Sequence, residues 1–424
     1  MRMLNLRVTS ATAMAVALCL GAGAAQAQDC TITVGSVMSL TGSAGQFGQA
    51  ASKSIELAFR DINQAGGVAG CTIEADFRDA QTQGSVAVDA ARQLVDVGGV
   101  PVIIGGIISS VSMPILTSVT APSGVVQVSP ASSSPSFTTL AEEGQTGGYW
   151  FRTITSDALQ GVAAAQYAID TGLTNLAIIH VNNDFGVNMV REFSRAYEAL
   201  GGTITTVTPY NQDQSSYAPE VTEGLSGDPQ ALYLVAYPGD GTTVARTWIS
   251  QGGPQTFLLN DGMNSADFIN DVGAQYLDNA YGTSSGTVET PSTEYFAAEY
   301  GKFSDFDWQA PAADRAYDAA AIVALAIAHA GSAESDAIRD SIRAVVDPNG
   351  ETIYAGPDQF AKALELLGNG APIRYVGVIG PVGFDSLGDI SGPFRLWRIQ
   401  NGEVVTTGEM TTDDVDAIKT AIGG

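Results

Sequence analysis

The chain has 424 residues, 45% of them hydrophobic, and its 45 acidic side chains outnumber 19 basic ones to give a net charge of −26. That length allows two or three domains with sizeable cores. So acidic a chain is not built to hold nucleic acid or an anionic membrane surface, since both would repel it.

Residues 1–27 read as a secretory signal peptide. Arg2 and Arg7 supply a basic start, residues 11–25 are apolar and small, and Ala25-Gln26-Ala27 is a cleavage site. The apolar run is too short and too rich in alanine and glycine for a membrane anchor. Cys19 follows Leu18, whereas a lipoprotein site needs a small residue there. Cleavage after Ala27 removes two arginines and no acid, which takes the net charge to −28. The expected product is a soluble, exported protein.

Strand and helix patterns then alternate. Residues 31–40 read as a strand, and 46–63 as a helix with Ala51, Ile55, Ala58, Phe59 and Ile62 at helical spacing. Gly66 and Gly67 stop that helix. Residues 72–77, 102–105 and 125–128 read as strands, and 86–97 and 111–119 as helices. Cys30 and Cys71 each precede a strand. If those strands are parallel neighbours, their ~4.8 Å spacing suits a disulfide. Two thiols and two distant histidines offer no zinc site.

The strand 102–105 is apolar, as for a strand buried on both faces. Gly105 and Gly106 then turn the chain towards Ser109 and Ser110, which either cap the next helix or bind an anion at its start. Ser129-Pro-Ala-Ser132-Ser133-Ser134-Pro135 follows the next strand in the same way. Two successive strand ends rich in hydroxyls suggest one anion-binding crevice.

After Phe151-Arg152-Thr153 a second α/β series begins. Helices are predicted at 158–171, 186–200, 217–225 and 242–251, with strands at 176–181, 203–207, 231–236 and 256–259. Residues 284–292 read as a linker. Helices at 293–302, 311–330, 335–346 and 358–367 follow, then a strand at 374–378. A hairpin about Asn401-Gly402 and a helix at 412–422 close the chain.

Several of these stretches resemble one family in order and spacing. They are Val37-Met-Ser-Leu-Thr-Gly42 with Phe47-Gly48, residues 58–67, 104–112 and 129–135, Asn183-Asp-Phe-Gly186, Tyr237, Asn260-Asp261-Gly262, and residues 380–389. The chain resembles the periplasmic solute-binding proteins of ABC importers for branched-chain amino acids, the leucine/isoleucine/valine-binding family. The resemblance implies an α/β, type I periplasmic binding protein: two doubly wound parallel-sheet lobes joined by a three-crossover hinge. The crossovers would lie near Arg152, near 282–289 and after Gly388. Lobe one would be 28–151 plus 284–390, and lobe two 152–283 plus 391–424.

The same resemblance implies roles for residues. Ser109 would bind a ligand carboxylate, and Ser132 and Ser133 the carboxylate and ammonium. Asp261 would pair with the α-ammonium from lobe two, with Tyr237 beside it. Phe47 and Ile107 would pack the ligand side chain. Phe185 stands where relatives often have tyrosine, which removes a hydroxyl. No cofactor or metal is implied. The implied partners are a small amino acid and the permease and ATPase subunits of an importer, with the protein itself a monomer. Residues 347–372 have no assigned role.

The chemistry of the residues points the same way. Donors at Ser109, Ser132 and Ser133 face an acid at Asp261, and a zwitterion needs both once water is excluded. Asp261 also fits as a cap for the helix at 265–271. A ligand sensor, or capture of another carboxylate or amide such as an aromatic acid or a urea-like compound, are the other readings. Gly282-Thr-Ser284-Ser-Gly286 matches the G-x-S-x-G of hydrolases, but no helix follows it, and only His180 and His329 are available as bases. The expectation is therefore a binding protein and not an enzyme.

Overall fold

The computed structural model describes residues 30–423. The signal peptide expected at 1–27 lies outside the described residues. Among the described residues, no single helix is long and apolar enough to cross a membrane.

The first sheet holds β1 (Thr31–Met38), β2 (Thr72–Asp79), β3 (Val102–Gly105), β4 (Val126–Ser129) and β5 (Trp150–Arg152), in the order β2-β1-β3-β4-β5. Every pairing is parallel. All four residues of β3 are buried, which is why its sequence is an apolar run rather than an alternation. Gly105 ends it at φ 142°, and a Cβ there would stand 2.2 Å from the Val37 carbonyl. Only glycine lets the chain leave the sheet so close to β1. Cys30 and Cys71 form the expected disulfide beside the first β1–β2 pair, with Cα atoms 4.8 Å apart.

The second sheet starts with β6 (Asn175–Val181), β7 (Thr203–Tyr210), β8 (Ala231–Val235), β9 (Thr256–Leu259) and β10 (Asn279–Ser285). A small separate sheet follows, of β11 (Glu351–Ile353), β12 (Ile373–Gly377) and β13 (Gly380–Pro381). The chain then returns to the second sheet as β14 (Phe394–Gln400) and β15 (Glu403–Met410), giving the order β15-β14-β10-β9-β8-β6-β7.

The hairpin expected about Asn401-Gly402 adds an antiparallel edge to this otherwise parallel sheet, with β14 antiparallel to β10 and β15 to β14. The tight turn that joins β14 to β15 places Asn401 and Gly402 at positive φ (54° and 80°). A difference lies next to it. Ser284 and Ser285, expected to open a linker, are the last residues of β10.

Helices cover the sheets, as α/β layering requires. The Ala-rich helix Ala313–Ala330 is almost wholly buried and packs along Gly45–Gln64. Its Asp318 carboxylate accepts from Tyr375 Oη at 2.8 Å, Val378 N at 2.8 Å and Ile379 N at 2.9 Å. That fixes the end of β12 to the helix. The chain passes between the two large sheets three times: after β5, after β10 and before β14.

Candidate functional site

The strand-end loops of the two sheets face each other across a cavity of 510 Å³. From the first sheet come Ser109, which opens the helix after β3, and Ser133, from the loop after β4. From the second come Phe185, Tyr237 and Asp261, which follow β6, β8 and β9. A crevice at strand ends is where open α/β sheets bind ligands. Phe47 and Ile107 complete the set. Seven of the eight expected ligand residues therefore line one cavity, and Ser132 does not line it.

Ser132 lies beneath the surface for a definite reason. The Gly106 carbonyl accepts from Ser112 Oγ at 2.9 Å, Ser129 Oγ at 2.7 Å and Ser132 Oγ at 3.4 Å, and Ser112 and Ser132 hydroxyls lie 2.6 Å apart. Its hydroxyl ties the two serine loops together. Arg152, fully buried, holds the same loop from behind. It donates to the carbonyls of Ser132 at 3.2 Å and Ser134 at 3.0 Å, and forms a forked pair with Asp389 at 2.6 and 2.9 Å.

Ser133 carries a partner that sequence reasoning missed. Its Oγ donates to Asp157 Oδ2 at 3.0 Å, and Asp157 N donates to the Ser133 carbonyl at 2.9 Å. Asp157 is fully buried and its Oδ1 has no partner among the described residues. Burial pushes its carboxyl well above the usual range, and the Asp261 charge adds to this, while Ser133 and Arg152 oppose it. An aspartate in a helix's first turn looks like an ordinary helix-start residue, so nothing in the sequence singled it out.

Asp261 is partly exposed and lines the cavity. Its Oδ1 accepts from Gly262 N at 2.9 Å and Asn260 Nδ2 at 3.3 Å. Burial raises its pKa, against those two bonds and the charge of Arg315. The helix that Asp261 was alternatively expected to cap is capped by Ser265 instead, which accepts from Phe268 N.

Three rings close one end. Phe185 stacks on Tyr237 with centroids 5.6 Å apart, and Phe47 meets Tyr237 edge-on at 6.4 Å. The other end runs to the chain crossings and is lined by Ser284, Trp308, Arg315 and Arg395, none of which was expected. Ser284 sits in a strand, and the next helix begins only at Pro291, so the turn of a nucleophile elbow is missing. Neither His180 nor His329 lines the cavity.

Hydrogen bonds bridge the two sides of the cleft at its mouth. Gln46 Nε2 donates to Asp267 Oδ2 at 2.6 Å, Gln212 Nε2 to Ser43 Oγ at 2.6 Å, and Asn188 Nδ2 to Ser134 Oγ at 3.1 Å. Gly239 N donates to the Ser43 carbonyl at 3.3 Å.

Known proteins share this architecture. A family profile described as periplasmic binding protein matches residues 31–364. The Leu/Ile/Val-binding protein homolog 3 of Brucella melitensis is 25% identical over 379 residues, 88% of this chain and 93% of that one. Among solved structures, a leucine binding protein from Thermotoga maritima has a TM-score of 0.76 at 21% identity, covering 90% of this chain and 99% of its own. An ABC transporter solute binding protein from R. palustris in complex with 4-hydroxybenzoate has a TM-score of 0.72 at 18% identity, covering 90% and 97%. The chain belongs to the periplasmic binding protein family and has its type I fold.

Proposed function

We propose that the protein is an exported solute-binding protein that captures a small α-amino acid with an aliphatic side chain and delivers it to the permease and ATPase of an ABC importer. The two large sheets are the cores of two lobes that close on the ligand by bending at the three chain crossings. The protein catalyses no reaction. The single observation that carries this reading is that Asp261 shares one cavity with the hydroxyls of Ser109 and Ser133, with Asp157 hydrogen-bonded behind Ser133. Asp157 is fully buried and Asp261 partly exposed, burial raises both carboxyl pKa values, and an α-ammonium supplies the cation that their charged forms need. The hydroxyl of Ser109, which accepts from Ser134 N at 3.2 Å, keeps its own proton for a carboxylate.

The three-ring end favours one second reading, an aromatic acid, for which protonated Asp157 and Asp261 would be donors rather than counter-ions. A thermal-shift screen of the natural L-amino acids, their deaminated acids, their amides and 4-hydroxybenzoate separates the two. An L-amino acid that raises the melting temperature while its deaminated acid does not supports the proposal. A shift with hydroxybenzoate or deaminated acids alone contradicts it.

A further inference from the structure

The hinge end of the cavity holds polar groups that a compact amino acid would leave unused. Arg395 is the second residue of β14 and lines this end. It is only partly exposed, and none of its guanidinium nitrogens donates to an acceptor among the described residues; Nε is sealed from solvent as well. In the β10–β14 ladder Arg395 pairs directly with Ser284, so both side chains rise from the same face. Ser284 is 7% exposed, lines the same cavity, and its hydroxyl has no partner among the described residues.

The neighbouring charges do not satisfy Arg395. Asp314 is engaged by Arg315 Nη1 at 2.8 and 2.9 Å and by Thr287 Oγ1 at 3.1 Å. Arg315 spends Nη2 on the carbonyls of Ser285 and Gly286 at 2.9 and 3.0 Å. Glu289 and Glu409 stand at the rim, exposed, and neither forms an ion pair with Arg395. Burial holds the Arg395 guanidinium below its usual pKa; the nearby Asp314 charge opposes this and the Arg315 charge adds to it. Two guanidiniums, Arg315 and Arg395, thus face one partly buried acid, Asp314, while Glu409, the cross-strand neighbour of Arg395 in β15, is solvent-exposed and forms no ion pair with it. A half-buried guanidinium beside a buried hydroxyl is a costly arrangement without an anion to accept from both.

We propose that Arg395 and Ser284 form a second subsite, for an acidic group at the far end of the ligand, so that the captured solute is an α-amino acid whose aliphatic side chain ends in a carboxylate. This rests on the zwitterion reading of the Ser109–Asp261 end and extends it along the cavity. A volume of 510 Å³ accommodates such an elongated ligand. The guanidinium fork accepts a carboxylate in two-point contact, and the Ser284 hydroxyl donates a third bond. The G-x-S-x-G stretch then has a use that needs no histidine.

Calorimetric titration of the full chain tests the subsite. The ligands are L-glutamate, L-2-aminoadipate and L-2-aminopimelate, with L-norleucine as the uncharged comparison. The expected result is at least one dicarboxylate binding tenfold or more tightly than norleucine. That preference disappears in Arg395→Gln and is partly kept in Arg395→Lys, while norleucine binds all three proteins alike. Circular dichroism melts establish that the variants fold. Norleucine binding as tightly as every dicarboxylate, or a dicarboxylate preference that survives Arg395→Gln, overturns the subsite and leaves the amino-acid reading intact. Equal losses of melting temperature in Arg395→Gln and Glu409→Gln, without any ligand preference, would make Arg395 a structural partner of Glu409 and also overturn it. Failure of every amino acid to bind the wild type overturns both readings together.

Discussion

Whether Ser133 gives its hydroxyl proton to Asp157 or to a ligand depends on the charge of Asp157. In the ligand-free protein burial favours the neutral acid. An ammonium arriving at Ser133 reverses this, because a carboxylate then has a cation within reach. Binding should therefore release a proton, and affinity should rise with pH from the ordinary carboxylate range up to the raised pKa. Titrations in two buffers of different ionisation enthalpy measure the release directly, and Asp157→Asn should reduce it to the share that Asp261 supplies. An affinity that falls with pH in this range would contradict the assignment. Arg152 offers a second test at the same scale. Arg152→Ala leaves Asp389 and two loop carbonyls without their donor. Chemical denaturation should show a loss of ~3–5 kcal/mol, the usual cost of halving a buried ion pair. A loss below ~1 kcal/mol, the exposed-pair range, would mean that water replaces it.

The elements show which patterns carry their information locally. Runs such as β3 and β8, and the 3.6-residue spacing of Gly45–Gln64, announce themselves because the side chains that make the core also set the period. β10 does not, although it lies mid-sheet between β9 and β14. Its sequence Asn-Ala-Tyr-Gly-Thr-Ser-Ser lacks the apolar run because the bulk comes from elsewhere: a Cβ on Gly282 would stand 2.2 Å from the Trp397 ring. That substitution of one strand's side chain for another's is long-range and leaves no local trace. The same holds for the site. Ser109, Ser133 and Asp261 were legible as polar residues at strand ends, whereas Arg315 and Arg395 reach the cavity, and Asp157 reaches Ser133 behind it, only through tertiary packing.

Two further outcomes belong to this scale. A Cβ at position 239 would lie 3.0 Å from Ser43 Cα across the cleft mouth. Gly239→Ala should strain only the closed arrangement, by ~1–3 kcal/mol of overpacking, and weaken ligand affinity about tenfold or more without lowering the ligand-free melting temperature. An unchanged affinity would mean that the mouth is not closed in the complex. Asp318 predicts a pH effect on stability. Burial pushes its carboxyl up to about 7, against the three donors that hold it. A raised acid pKa means that the folded state binds the extra proton, so this contribution is full below the unfolded value near 3.8 and is lost as pH rises to about 7. The difference approaches ~4 kcal/mol on that shift. Melting temperature measured between these limits should fall less steeply in Asp318→Asn than in wild type. Parallel curves would contradict it.

At the scale of the whole molecule, two large sheets are joined by three chain crossings, about which the proposed function requires bending. The disulfide serves the first core: it closes a sequence separation of 41 residues at the edge of its sheet. Replacing Cys71 with serine should cost ~4 kcal/mol in denaturation on the chain-entropy model. A mobile cleft gains from opposite charges placed on opposite walls, because a ligand that touches both is what shifts the population towards closure. The contacts at Ser43, Gln46 and Asn188 join the two walls across the cleft mouth.

The central claim is that this bridge is a zwitterion, and calorimetric titration of ligand-stripped protein tests it most directly. The best-binding L-amino acid and its deaminated acid are each titrated into wild type and Asp261→Ala. The account predicts stoichiometric binding of the amino acid, weakened by ~2–5 kcal/mol in the variant as for one partner of a buried charge pair, and little binding of the deaminated acid to wild type. Tight binding of the deaminated acid, unchanged in Asp261→Ala, would contradict it.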